Sequence, residues 1–120
     1  MGAKNYRDLL IWQRAMDLVE MVYRVTAGFP QEEAYGLKQE MRRCAVSIPS
    51  NIAEGQGRES ARDFVRFLNM GNGSRRELET QTIIARRLDY LSELQCSEVL
   101  GLSGEVGHLR HGLVKSLKPA

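Results

Sequence analysis

Residues 37–58 constrain this chain more than any other stretch. Leu37, Met41, Cys44, Ala45, Ile48 and Ile52 recur at helical spacing and make one apolar stripe. Arg43, Ser47, Ser50, Asn51, Glu54 and Arg58 make a second stripe, polar, on the same helix. A helix with these two faces buries the first in a core and hydrogen-bonds through the second, fixing its register against another helix or another subunit. Pro49 sits inside both. Proline has no N–H, its ring crowds the carbonyl of Ala45, and it biases Ile48 away from helical angles. The helix is therefore predicted to bend or restart near Ile48, with Ser50 or Asn51 satisfying the backbone groups set free. Gly55 and Gly57 are predicted to stop it through left-handed conformations. Ser60 and Asp63 then restart the chain as an N-cap pair.

The remaining segments carry the same periodicity. The first residues, 1–7, are polar and predicted to be loose. A first helix over about 8–27 has one stripe of Ile11, Ala15, Leu18, Val22 and Val25, with Asp8 placed to favour its N-terminal dipole. An adjacent stripe of Trp12, Met16, Val19 and Tyr23 makes the apolar face wide, as in a bundle that also packs on a neighbouring subunit. Gly28-Phe29-Pro30 ends it. The helix of the central stretch covers about 31–55. A third helix over about 60–91, roughly 48 Å long, has Phe64, Gly71, Leu78 and Ala85 at sevens, with Phe67, Ser74, Gln81 and Leu88 as the companion row. These rows read as a heptad seam with a polar centre. Gly71 and Gly73 weaken it by about 1 kcal/mol each, which close helix approach would explain. A fourth helix over about 97–117, capped by Ser97 and followed by Pro119, carries Val99, Leu102, Val106, Leu109, Leu113 and Leu117. No stretch reads as a strand, repeat or linker. Four helices with short connections imply an all-α, antiparallel up-and-down four-helix bundle in one domain.

Charge is close to balance, 17 basic against 15 acidic residues, but unevenly spread. Residues 42–87 hold nine arginines, no lysine and five acids, a local net of +4. Arginine's planar fork pairs with carboxylates and phosphates alike, so the span suits an ion-paired interface or a nucleic-acid surface. Arg62, Arg66, Arg75, Arg76, Arg86 and Arg87 are the candidate phosphate contacts. Arg42, Arg43, Ser47, Asn51, Glu54, Arg58, Glu77 and Glu79 are the candidate internal polar network, with Glu77 or Glu79 expected to pair with Arg42, Arg43 or Arg58 across a helix or subunit contact. The aromatic residues among the arginines, Phe64 and Phe67, belong to the heptad rows, so a stacking platform for single strands is poorly supported.

Other chemistry finds little support. Glu105-x-x-His108 has the spacing of di-iron bundles, but no second copy exists, and His108 and His111 read as surface residues. Glu77 and Glu79 are two apart on a helix and cannot converge as an acid–base pair. The polar stripe offers no convergent ligand pocket. An enzyme is not expected, nor a metal or cofactor. Cys44 reads as a small core residue and Cys96 falls in a predicted loop; neither suggests a disulfide. No secretory signal and no apolar run near the ~18 residues of a membrane span are present. These features predict a soluble, cytoplasmic protein without a membrane partner.

Several motifs together carry a resemblance. They are Trp12-Gln13, Phe29-Pro30, Tyr35-Gly36-Leu37, Arg42-Arg43, the run Ala45-Val46-Ser47-Ile48-Pro49-Ser50-Asn51-Ile52-Ala53-Glu54-Gly55, Gly57-Arg58, Phe67-Leu68, Gly73-Ser74, Glu77-Leu78-Glu79 and Tyr90-Leu91. In this order they resemble the bacterial four-helix-bundle family encoded in intervening sequences of large-subunit ribosomal RNA genes. A related branch is the accessory variability proteins of diversity-generating retroelements. Gly71 departs from the pattern, which has alanine there. The resemblance implies a non-enzymatic homo-oligomer, typically pentameric. In the retroelement branch it implies binding of DNA or RNA beside a reverse transcriptase. Two functions stand at this point: a nucleic-acid-binding accessory protein, and a structural or protein-interaction bundle with no nucleic-acid role.

Overall fold

The computed structural model describes residues 5–118. Among them the chain forms four α-helices and no strand: α1 (Leu10–Thr26), α2 (Leu37–Gln56), α3 (Ala61–Arg87) and α4 (Glu93–Leu117). Short 3-10 turns at Tyr6–Asp8 and Gln31–Glu33 precede α1 and α2. Each helix packs on the next and α1 on α4, while the backbones of the diagonal pairs stay further apart, the pattern of an up-and-down bundle. The body measures 47 × 23 × 20 Å.

The core follows the apolar stripes. Ile11, Ala15, Leu18 and Val22 meet Met41, Cys44, Ala45, Ile48 and Ile52, closed by Leu68, Leu78 and Ala85 and by Val99, Leu102 and Val106. Each large side chain so buried contributes about 1.5–3 kcal/mol relative to exposure. The second stripe of α1 behaves differently. Trp12, Met16 and Val19 are only half-buried and Tyr23 is 42% exposed. Trp12, Met16 and Val19 border an open groove shared with Val46, Pro49 and Ala53 of α2.

Several boundaries differ from the sequence expectation. Asn5 caps the first 3-10 turn by accepting from Arg7 N, so residues 5–7 are folded, and Asp8 lies before α1 rather than inside it. The segment 1–4 and Pro119 lie outside the described residues. Residues 31–36 are a 3-10 turn and loop rather than the first turns of α2. There is no restart at Ile48: α2 runs through Pro49. Ser50 Oγ donates to Val46 O at 2.9 Å and Asn51 Nδ2 to Ser47 O at 2.9 Å, each folding back four residues.

The glycines also play other parts than expected. Gly57 caps α2 at φ −79°, ψ −5°, so no left-handed residue ends this helix. Gly55 is inside α2 and buried; a Cβ there would lie 2.6 Å from Phe67 Cβ. Its role is close approach of α2 to α3. Gly71 is buried against Ile48 and Asn51, whereas Gly73 has open space around it and supports no close contact.

Ser60 caps α3 as expected, accepting from Asp63 N at 3.1 Å. The helix ends at Arg87, four residues short of Leu91, because Asp89 turns the chain at φ 62° and Tyr90 N bonds back to Ala85 O at 2.9 Å. Aspartate is among the few non-glycine residues that tolerate that region. The last helix begins one turn early. Ser92 and Gln95 form a capping box, so Ser97 is inside α4 and Cys96 is a buried helical residue rather than part of a loop.

Candidate nucleic-acid interface

Helical geometry decides where the arginines of α3 point. At 100° per residue, positions 62, 66, 76 and 87 fall on one face, while 75 and 86 point elsewhere. Arg62, Arg66, Arg76 and Arg87 are exposed, and they span about 38 Å of helix at 1.5 Å per residue. The side chains of Arg62, Arg76 and Arg87 make no ion pair or hydrogen bond among the described residues. Arg66 donates from Nε to Asp63 Oδ1 at 3.2 Å, and its guanidinium lies 4.6 Å from the Phe67 ring centre. Met70, Ile83 and Ile84 are 49%, 42% and 43% exposed on the same helix. The face therefore combines free cations with aliphatic groups.

Two of the six candidate arginines lie off this face, and one of them serves the bundle instead. Arg75 turns inward, its side chain only 13% exposed. Its Nη1 donates to Glu79 Oε2 at 2.9 Å and to Ser103 O at 3.2 Å, and its Nε to Asn72 Oδ1 at 2.9 Å. Ser103, fully buried on α4, donates to the same Glu79 oxygen at 2.7 Å. Gly107 makes room for the guanidinium, since a Cβ there would lie 2.5 Å from Arg75 Cζ. Arg75 thus pins α3 to α4 and is unavailable to phosphate. Arg86 is half-buried and pairs with Asp89 at 3.4 Å.

The internal polar network lies between α2 and α3, with a different set of partners. Ser47 Oγ and Ser74 Oγ share a hydrogen bond at 2.8 Å, and Asn51 Nδ2 donates to Ser47 Oγ at 3.0 Å. Gln81 Nε2 donates to Cys44 Sγ at 3.5 Å, and burial pushes the Cys44 thiol pKa up. This is the polar centre of the seam that the heptad rows imply.

Within the chain the expected pairing of Glu77 or Glu79 with Arg42, Arg43 or Arg58 does not form, because Glu79 and all three arginines have nearer partners. Glu79 is taken by Arg75. Glu77 is exposed and acts on Arg43 only through space. Arg42 donates to Thr26 Oγ1 at 2.9 Å and Tyr23 O at 3.1 Å, closing the end of α1, and lies 4.3 Å from the Tyr23 ring centre. Arg43 pairs with Glu40 at 3.0 Å, which raises the arginine pKa and lowers that of Glu40. Glu54 pairs with Arg58 at 2.7 Å, and Arg58 lies 4.7 Å from the Phe67 ring centre.

Besides the Arg75 pin, sequence reasoning missed two contacts to α4. Arg14 donates to both oxygens of Glu105 at 3.0 and 2.9 Å, and this bond holds the Glu105 carboxyl below its ordinary pKa. The same contact removes Glu105 from any pairing with His108, which is exposed. Arg110 Nη1 donates to Asn69 Oδ1 at 2.8 Å. Both arginines lie outside the arginine-rich span, so charge clustering gave no signal for them.

These features define an all-α up-and-down bundle with polar pins between its helices and a row of unpaired arginines along one. Over residues 7–112 the chain matches the family described as 23S rRNA-intervening sequence protein, and it belongs to that family. A solved structure of a protein of unknown function from the S23 ribosomal protein family of Bacteroides thetaiotaomicron has the same fold. Its TM-score is 0.79 at 19% identity, over 88% of this chain and 99% of that one. No curated protein sequence matches the chain. No helix among the described residues is long and apolar enough to cross a membrane.

Proposed function

We propose that this protein is a non-enzymatic accessory bundle that assembles with copies of itself and binds DNA or RNA through phosphate. The observation that carries this reading is the outer face of α3, where Arg62, Arg76 and Arg87 are exposed without a carboxylate partner among the described residues. Free guanidiniums on a helix flanked by α2 and α4 can reach phosphates but cannot enter a groove to read bases, so binding is weak and independent of sequence. Assembly is supported by the groove of Trp12, Met16, Val19 and Val46, an apolar surface that another copy would cover. Five copies, the number the family resemblance implies, would carry a formal +10 and a correspondingly larger field. Filter binding with duplex DNA and structured RNA at low salt tests the reading. Wild-type protein should retain both, and Arg62→Glu with Arg76→Glu should weaken retention of every sequence alike while light scattering still reports the intact oligomer. Failure to retain either nucleic acid contradicts it.

A second reading has its own observation. Met70, Ile83 and Ile84 stand exposed beside the arginines, and such a mixed face also suits a protein partner. A structural or protein-interaction bundle then replaces the nucleic-acid role, and the same titration separates the two.

A further inference from the structure

Among the buried polar atoms the proposed function does not use are Gln81 Oε1 and Arg110 Nε, and the second borders a cavity. A small cavity lies between the four helices, with Gly71, Asn72, Arg75 and Arg110 on its polar side and the aliphatic side chains of Ile11, Ile48 and Val106 among those on the other. Its volume is about 10 Å³, at the lower bound for one water molecule. Arg110 Nε is buried and has no acceptor among the described residues, although Nη1 of the same guanidinium is bonded to Asn69. A buried N–H without an acceptor is costly to leave unmade.

Two of the lining residues carry acceptors. Asn72 Oδ1 takes the Nε–H of Arg75 and retains a second lone pair. Ile48 also lines the cavity, and its carbonyl oxygen lies 3.5 Å from where a Cβ on Gly71 would sit. A peptide carbonyl likewise has a second lone pair. The charge of Arg75 is already met by Glu79.

We infer that a single ordered water occupies this cavity, accepting from Arg110 Nε and donating to Asn72 Oδ1 and Ile48 O. The three bonds match those a buried water usually makes, and they join α2, α3 and α4 at one point. An anion is disfavoured, because it would face two carbonyl oxygens in a volume scarcely large enough for water. Gly71 provides the room: it weakens helix α3 relative to alanine, yet an alanine Cβ would clash with nothing and would take up the space of the water.

Nitrogen-resolved NMR of the wild-type protein tests this, with Arg110→Lys assigning the resonance. The Arg110 Nε–H should exchange slowly and show cross-relaxation to a long-lived water. A high-resolution crystal structure should show density about 2.9 Å from Arg110 Nε. In Gly71→Ala the exchange of Arg110 Nε–H should rise about tenfold or more, toward the rate of exposed Arg76. Wild-type exchange already as fast as that of Arg76, or a cavity without density, overturns the inference. Unchanged exchange in folded Gly71→Ala does so as well. An anomalous peak at the site in bromide-soaked crystals would replace the water with a halide and overturn it too.

Discussion

Arg75 and Arg76 are neighbours in sequence and opposites in role. Arg75 lies against Gly107 and is bonded to Glu79, Ser103 and Asn72, whereas Arg76 is exposed and unpaired among the described residues. One step along a helix rotates a side chain by 100°, enough to carry an identical guanidinium from an inter-helix pin to open solvent. Arginine content therefore says little about binding until each residue is assigned a face. The inward arginine has stability as its consequence, and the outward ones have charge.

Removing the two side chains separately gives the largest expected contrast. Arg75→Met leaves Glu79 with Ser103 as its remaining donor and takes the Arg75 donor from Ser103 O; it should cost about 2–4 kcal/mol, a little below the value for a fully buried pair because Glu79 is 30% exposed. Arg76→Met should change stability by no more than about 0.5 kcal/mol. Urea unfolding midpoints of the two variants measure the difference; equal midpoints would break the comparison.

Gly107→Ala sharpens it from the other side of the contact. The new Cβ meets the Arg75 guanidinium, a flexible group but one held by three partners, so a cost of about 1–3 kcal/mol is expected. Combined with Arg75→Met the cost should largely vanish, a coupling that a double-mutant cycle reads directly.

How far the sequence disclosed this difference depends on which face of each helix its pattern described. The apolar stripes of α1 and α2 identified the core because burial imposes the helical period on every residue that meets it. Ser47, Ser74 and Gln81 were legible as a polar centre for the same reason, lying in the rows where α2 meets α3. Arg75 was not legible, since those rows say nothing of the side of α3 that faces α4. Glu79 four residues on, with Ser103 and Gly107 opposite, is the signal, and it becomes readable only when α3 and α4 are set in register. The start of α4 was misplaced because two serines compete for the cap; Gln95, three after Ser92, distinguishes them. The outward arginines were half-legible. Their residue type was plain, but Arg86 stands off the row by its angle on the helix and pairs with Asp89, whose left-handed turn ends α3 early.

A smaller effect concerns the exposed pairs. Arg14 lowers the pKa of Glu105 and Arg43 that of Glu40. A depressed carboxylate pKa adds stability above the unfolded value, and that share disappears as pH falls through the folded one. The melting temperature should therefore decline as pH drops below about 4.5, and Arg14→Gln should make that decline shallower. An identical acid profile for the variant would show that the Arg14–Glu105 pair adds nothing.

The contrast between inward and outward arginines is tested most directly by the salt dependence of duplex DNA binding. Each guanidinium withdrawn from a phosphate should lower the slope of log affinity against log salt by about 0.9. Replacing Arg62, Arg76 and Arg87 together by glutamine should reduce that slope by up to about 2.7 per chain engaged, with the unfolding midpoint little changed. A slope unaltered by the triple replacement, in a protein that still binds DNA, would contradict the assignment of this face.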